Sequence, residues 1–171
     1  MMSEPVTLYK LIVLYMLNKV NFPLTNAQIS DFILEREYTT YFTLQSVLAD
    51  LEESQMIHIE TIRNCSYYSI TDTGTEALKY FHNRISPSIR DEIDQYMSEN
   101  RIRMRDEVSV LADYYKNTDG DFSVRCQIKE KDSRPIDLTF SVPYEDQART
   151  ACSNWRDHCQ SIYEFIMKEL L

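Results

Sequence analysis

Cysteine and histidine are the residues of this chain best suited to nucleophilic or metal chemistry, and their spacing favours neither. The four cysteines and three histidines are Cys65, Cys126, Cys152, Cys159, His58, His82 and His158. No two cysteines form a CxxC pair, so the usual zinc spacing is absent. Cys152 and Cys159 lie on one face of a predicted helix, where we expect buried thiols. His158 and Cys159 are adjacent, so on a helix they point in different directions and are poorly placed to share a ligand.

Glycine-based phosphate sites are excluded by composition. The chain has two glycines, Gly74 and Gly120, which cannot supply a dinucleotide fingerprint or a Walker loop. It also lacks the G-x-S-x-G and H-E-x-x-H motifs of hydrolases and zinc proteases. Its 12 tyrosines indicate packing and interfaces rather than catalysis. We therefore expect a protein that is not an enzyme and that has no catalytic residues, cofactor or metal.

The charge balance limits the partners that the chain can bind without specificity. Eighteen basic residues against 27 acidic ones leave a net charge of -9, which argues against broad affinity for nucleic acid or anionic lipid. The longest strongly apolar run, Leu11–Leu17, is too short to span a bilayer. The residues before it lack the basic start of a signal peptide. We expect a cytoplasmic protein with no membrane partner.

The first predicted helix has an unusual apolar distribution. Pro5 begins it, and the pattern continues to about Val20 with apolar residues on several sides. A helix that is apolar all round is buried on more than one side. We therefore expect it to meet a second surface, either in the C-terminal half or in another subunit.

Three more helices and a hairpin complete residues 1–85. Thr25 and Gln28 have the spacing of a capping box at the start of the second helix. The third helix is predicted over about 40–54 and the hairpin over about 56–70, with the hairpin's turn at Arg63 to Ser66. The core side of the third helix is formed by Leu44, Val47, Leu48 and Leu51. A Thr71 hydroxyl then caps the fourth helix.

Helix, helix, helix, hairpin, helix is the order of a winged helix-turn-helix domain, and two segments resemble that group. Leu44–Ile57, LQSVLADLEESQMI, resembles the recognition helix and first wing strand of bacterial winged-helix regulators. Tyr68–Gly74, YSITDTG, matches their Y-x-[LI]-T-x-x-G signature. The chain is thus similar to PadR-like and MarR-like repressors over residues 24–85. As a whole it resembles an uncharacterised bacterial winged-helix family of unknown function. In the signature, Gly74 allows the helix to approach its neighbours closely.

A winged helix-turn-helix places the N-terminal part of its second motif helix in the major groove. The residues that would contact duplex DNA are Thr39, Phe42, Thr43, Gln45, Ser46, Arg63 and Asn64. Gln45 suits adenine, the hydroxyls suit either a base or a phosphate, and Phe42 suits a thymine methyl group. Arg63 and Asn64, at the tip of the wing, would reach the backbone or the minor groove.

The alternative is a winged helix that contacts proteins and not DNA. Residues 1–85 hold six basic and ten acidic residues, and the recognition helix has no Lys or Arg for phosphates. Phe42, with Tyr38 and Tyr41 nearby, also suits a protein-contact surface. A homodimer would double the modest DNA footprint, and the apolar first helix favours such a dimer. DNA binding would be favoured if the dimer gathered four basic residues on one face: Lys10, Lys19, Arg36 and Arg63.

Residues 86–171 are predicted to form a second domain, α-β-β-β-α, with a three-stranded antiparallel sheet. Ser86-Pro87 begins a helix that continues toward Met104. The alternating segments lie at about 108–115, 122–129 and 136–142. An apolar stripe centred on Trp155 lets the last helix cover the sheet. We expect an α+β protein whose second domain dimerises, senses an unknown small-molecule effector, or both; Arg125 and Arg134 are candidate contacts for an anionic effector.

Overall fold

Helices alternate with two separate antiparallel sheets along the chain. The computed structural model describes residues 4–62, 64–130 and 133–171. Within these ranges the protein is α+β, with six α-helices and two three-stranded antiparallel sheets. It divides into two compact units, Met1–Met104 and Arg105–Leu171. No helix in the described ranges is both long enough and apolar enough to cross a membrane.

The first unit holds four helices, one sheet and most of a fifth helix. Its elements are α1 (Glu4–Asn18), β1 (Leu24–Thr25), α2 (Asn26–Glu35), α3 (Tyr41–Glu53), β2 (Ile57–Ile62), β3 (Cys65–Ile70), α4 (Asp72–Phe81), a 3₁₀ turn (His82–Arg84) and α5 (Pro87–Ser109). The strand order is β1-β3-β2, with β3 in the centre. The two-residue strand β1 was not predicted. It forms because Leu24 and Thr25 pair with Tyr68 and Tyr67 on β3.

The hairpin turn is tighter than the sequence predicted. Ile62 pairs directly with Cys65, so only two residues connect β2 to β3, and the predicted four-residue turn ending at Ser66 is wrong. Asn64 has a φ of 63°, the left-handed conformation that a two-residue hairpin turn requires and that Asn tolerates. Cys65 and Ser66 belong to the strand instead.

Threonine caps begin three of the helices in this unit. Thr25 accepts a hydrogen bond from the Gln28 amide at 3.2 Å, and the Gln28 side chain accepts one from the Thr25 amide at 3.0 Å, which confirms the capping box. Thr71 accepts a hydrogen bond from the Gly74 amide at 3.1 Å at the start of α4, as predicted. Thr40 caps α3 in the same way. These caps fix where each helix begins.

The core of the first unit surrounds α1. Six consecutive or near-consecutive residues of this helix are buried: Leu11, Ile12, Val13, Leu14, Met16 and Leu17. The helix contacts α3, α4 and β3. The four predicted core residues of α3 are also buried in this cluster. The apolar surface of α1 is thus used within its own unit, and it no longer argues for a second subunit.

Helix α5 belongs mostly to the first unit, although the sequence placed a domain boundary at 85/86. Ile93, Met97 and Met104 are buried in the same cluster as α1. The buried Gln28 donates from its side-chain amide to the Met104 carbonyl at 3.3 Å. The helix continues to Ser109, five residues past its expected end, so the first strand of the second sheet begins only at Val110.

The second unit is one sheet covered by one long helix. Its strands are β4 (Val110–Lys116), β5 (Phe122–Ile128) and β6 (Ile136–Val142), paired antiparallel in that order, and its last helix is α6 (Glu145–Leu170). The predicted three-stranded antiparallel sheet is confirmed. Trp155 is 3% exposed among Val124, Cys126, Ile136 and Ala148. Its indole nitrogen donates to the Gln127 carbonyl at 3.2 Å, so the ring is a core side chain with its polar group satisfied.

Candidate functional site

Most of the residues that were predicted from the sequence to contact DNA lie on α3. The buried side holds the leucines and Val47, so the opposite side faces solvent. Phe42 is 84% exposed, and Ser46 and Ala49 continue its line along the helix. Tyr41 is 50% exposed and meets Phe42 edge to face, with ring centroids 5.9 Å apart. The site is therefore a short helix face with aromatic rings at its N-terminal end.

Hydroxyl groups organise the start of this face. Thr40 accepts a hydrogen bond from the Thr43 amide at 3.3 Å and donates its hydroxyl hydrogen to the Thr43 hydroxyl at 3.0 Å. Thr39 and Thr43 are half-buried, while Ser46 is exposed. Thr43 is thus partly engaged in the cap, and Ser46 is the predicted hydroxyl contact that faces solvent most fully.

Gln45 is held by a polar network rather than pointing freely outward. Its amide pairs reciprocally with Asn26: Asn26 donates to the Gln45 oxygen at 2.8 Å, and Gln45 donates to the Asn26 oxygen at 3.2 Å. Asn26 also donates to the Tyr68 hydroxyl at 3.0 Å and accepts from the Ser30 hydroxyl at 3.0 Å. The network joins α2, α3 and β3. The pair occupies one donor hydrogen and one acceptor lone pair of the Gln45 amide, so a base contact by Gln45 would have to use the remaining ones.

The other two predicted contacts are Asn64 and Arg63. Asn64 is exposed in its left-handed conformation. Arg63 lies outside the described residues. Of the predicted contacts, Phe42, Thr43, Gln45 and Ser46 therefore lie on α3, whereas Thr39 precedes its cap and Asn64 lies between β2 and β3.

A close contact ties the base of the hairpin to α4. The Thr71 hydroxyl donates to the Gln55 carbonyl at 2.6 Å, and the Thr71 amide donates to the Met56 carbonyl at 3.1 Å. A Cβ added at Gly74 would lie 2.1 Å from that Met56 oxygen. These contacts explain Thr71 and Gly74 in the YSITDTG segment. Together the two residues hold the start of α4 against Gln55 and Met56, which connect α3 to the hairpin.

Three basic residues of the first unit are paired with nearby carboxylates. Lys10 pairs with Asp50 at 3.0 Å, and Lys19 pairs with Asp94 at 3.0 Å. The hydrogen bond to Asp94 raises the pKa of Lys19. Arg36 lies 3.4 Å from Glu92. Three of the four cations whose clustering would favour DNA binding are thus partnered within the chain.

The first unit also has a small pocket on its surface. A surface pocket of about 260 Å³ is lined by Lys19, Val20, Asp94, Met97, Ser98 and Arg101. It is smaller than typical ligand sites, which have volumes of roughly 300–1,000 Å³. In the described ranges no three His, Cys, Asp or Glu side chains are grouped to hold a metal ion. Arg125, a candidate effector contact, instead binds Asp137 through two hydrogen bonds of 3.0 and 2.8 Å.

Sequence reasoning missed Asn26 and Thr40, which position Gln45 and Thr43. Thr40 is four residues before the buried Leu44, a spacing from which a cap can be inferred. Asn26 gives no such signal, because its partner Gln45 is 19 residues away and the pairing depends on how α2 packs against α3. Tyr41, which the sequence indicated only as part of a protein-contact surface, lies beside Phe42 on this face.

Comparison with known proteins identifies a family and no individual relative. No curated protein and no solved structure matches the chain. The family model described as "Domain of unknown function (DUF4364)" matches residues 9–170, which include both units almost completely. The chain therefore belongs to the DUF4364 family.

Proposed function

We propose that this protein is a cytoplasmic transcriptional regulator without catalytic activity that binds duplex DNA as a homodimer. In this proposal the first unit is a winged helix, α3 is the recognition helix and the β2–β3 hairpin is the wing. Three features support the arrangement: the element order, the tight hairpin, and the short strand β1 paired beside the wing. The matching wing signature is the feature shared with PadR-like and MarR-like regulators.

The observation that carries the proposal is the exposed N-terminal half of α3. The Thr40 cap fixes its start, while Leu44, Val47 and the other core residues anchor the opposite side. A recognition helix reads bases with its first turns, so it needs a rigid start and an uncovered outer face. Phe42 and Ser46 provide that face, with a ring for thymine methyl groups and a hydroxyl for bases or phosphates.

The paired cations imply weak phosphate binding. Lys10, Lys19 and Arg36 already have carboxylate partners, and α3 has no basic residue. If a dimer neutralises roughly two to four phosphates, the slope of log K against log salt is about -2 to -4. A regulator of this kind would depend on shape and base contacts more than on charge.

A second candidate function is protein binding through the same face. It is favoured by the edge-to-face pair of Tyr41 and Phe42, because exposed aromatic rings are typical of protein interfaces. Because the Gln45 amide is paired with Asn26, fewer polar groups on this face are available to form hydrogen bonds with bases. In this case duplex DNA would not bind even at low salt.

Fluorescence anisotropy with the duplex upstream of the protein's own gene, compared with a scrambled duplex, tests the proposal. We expect tighter binding to the first duplex, and Phe42→Ala to weaken that binding about tenfold, or about 1.4 kcal/mol. Phe165→Ala is the matched control, because Phe165 is 64% exposed on α6 in the second unit. It should leave the affinity unchanged. Equal loss in both variants, or no binding at low salt, would refute DNA recognition by α3.

A further inference from the structure

The outer face of α4 is aromatic at a point where little else covers it. Gly74 and Leu78 are the buried residues of this helix. Tyr80 is 85% exposed and, apart from Leu171, is the most exposed large hydrophobic side chain in the described ranges. Phe81 is 43% exposed, and its ring centroid lies 6.1 Å from that of Tyr80. The Arg84 guanidinium lies 5.2 Å from the Phe81 ring centroid. Tyr, Phe and Arg are among the residues enriched at protein interfaces.

Charged side chains lie on both sides of Tyr80 along the chain. Asp72, Glu76 and Lys79 lie before Tyr80 on α4, and Arg84 follows in the 3₁₀ turn His82–Arg84. Within the described ranges none of these four side chains forms an ion pair, unlike Lys10, Lys19 and Arg36. The surface therefore has acidic side chains at the start of α4, an exposed aromatic centre and a cation beyond it, and these charges form no ion pairs within the described residues.

Such a face is complementary to itself when two copies run antiparallel. In a two-fold interface, each contact occurs twice: if one residue of the first subunit contacts another residue of the second subunit, the same two residue types also contact each other with the subunits exchanged. An axis through Tyr80 places the two Tyr80 rings together. Glu76 of α4 then lies on the same side of the axis as Arg84 of the partner subunit, because Arg84 belongs to the 3₁₀ turn that follows α4. Both ends of the contact join opposite charges, whereas a parallel arrangement would join like charges.

We propose that a second copy of this chain docks on the outer face of α4, with Tyr80 at the two-fold axis and Glu76 opposite Arg84 of the partner subunit. This inference rests on the homodimer of the proposed function and names its surface. A helix of ten residues is about 15 Å long, so its face supplies only part of the roughly 800 Å² per partner of a typical interface. We therefore expect dissociation near the micromolar range, measurable by dilution.

Sedimentation velocity of the full chain over a range of concentrations tests the surface by charge reversal. Glu76→Arg and Arg84→Glu each place like charges opposite one another, so each should weaken the dimer at least tenfold. The double variant restores opposite charges and should return to within about threefold of the original dissociation constant. Glu52→Arg and Arg156→Glu are the matched controls. Both residues are exposed, and the two substitutions change the net charge by the same amounts at positions away from α4.

Tyr80→Ala provides a second measurement, since a side chain that is 85% exposed is not needed for folding. It should weaken the dimer, while the circular dichroism melt stays unchanged. A dimer that tolerates every variant would overturn the α4 surface and leave the homodimer intact. A double variant as weak as either single variant would overturn the antiparallel pairing. A monomer at all concentrations would overturn both the surface and the homodimer, while DNA binding is judged separately by anisotropy.

Discussion

At the scale of single residues, Gly74 has no room for a side chain. The backbone oxygen of Met56 lies 2.1 Å from where a Cβ would be, and the Ile70 side chain lies at 2.9 Å. We expect Gly74→Ala to lower the free energy of unfolding by about 2–3 kcal/mol. The Met56 carbonyl oxygen would have to move, and this movement would strain the hydrogen bond that it accepts from the Thr71 amide. Urea unfolding followed by circular dichroism measures this.

Thr73→Ala is the control for that prediction, because Thr73 is exposed one residue earlier on the same helix. Its effect should lie within about 0.5 kcal/mol. If Gly74→Ala were equally mild, the close approach of α4 to the hairpin would not exist in solution. The importance of Thr71 and Gly74 was predictable from the signature, since a cap and a missing Cβ are local requirements.

Tyr38 supplies a pH-dependent contribution to stability. Burial raises its pKa to about 12, with a further contribution from its hydrogen bond to Glu92. An unfolded tyrosine has a pKa of about 10. The folded state therefore retains the proton longer, so the contribution is full below pH 10 and is lost as the pH rises toward 12. This partner was not predictable, because Glu92 lies 54 residues away on α5.

Tyr38→Phe removes that titration. The variant should be less stable than the original protein at pH 8, because it lacks the bond to Glu92. The difference between the two should narrow between pH 10 and 12, as only the original protein loses the contribution. Urea midpoints at three pH values measure the effect. A constant difference across the window would show that Tyr38 does not titrate differently in the folded state.

At the scale of elements, the Asn26–Gln45 pair joins α2 to α3. Removing one amide leaves the other partly buried without its partner, so Gln45→Ala and Asn26→Ala should each lower stability by about 1–2 kcal/mol. The double variant should lose less than the sum, with a coupling of about 1 kcal/mol. Urea unfolding of the four proteins measures this, with Ser46→Ala as a neutral neighbour. Strictly additive losses would show that the amides do not interact.

The elements themselves were largely predictable where their signals are local. The capping box at Thr25, the leucine stripe of α3 and the alternation of β5 and β6 follow from periodicity and hydrogen-bonding chemistry. Strand β1 was missed because two residues have no periodicity and are ordered only by pairing with β3. The end of α5 was misplaced because Val108 and Val110 favour strand locally, while the helix before them continues through Ser109.

At the scale of the whole molecule, charge was the feature that composition described incompletely. The net charge of -9 and the acidic first half were evident from the sequence, but the carboxylates with which the basic side chains pair were not. Lys19 and Arg36 are paired by Asp94 and Glu92, two carboxylates from α5, a helix that the sequence assigned to the other domain. The candidate site could be located on α3, but its weak electrostatic character depends on these long-range pairs.

The two units differ in the size of their cores, and this predicts unequal stability. In the described ranges 21 buried residues form the core of the first unit, against five in the second. A small core offsets less of the entropy of folding. The only tryptophan, Trp155, lies in the smaller core, so its fluorescence reports the second unit alone. Circular dichroism reports the helices of both units.

We therefore expect the fluorescence midpoint in urea to precede the circular dichroism midpoint, which violates two-state behaviour. Cys126 offers an independent probe, because burial raises the pKa of its thiol to about 11 and keeps it protonated and unreactive at pH 8. Alkylation of Cys126, followed by mass spectrometry, should follow the fluorescence transition and not the later one. Coincident transitions by all three probes would mean that α5, which runs continuously through the unit boundary, makes the chain unfold as one cooperative body.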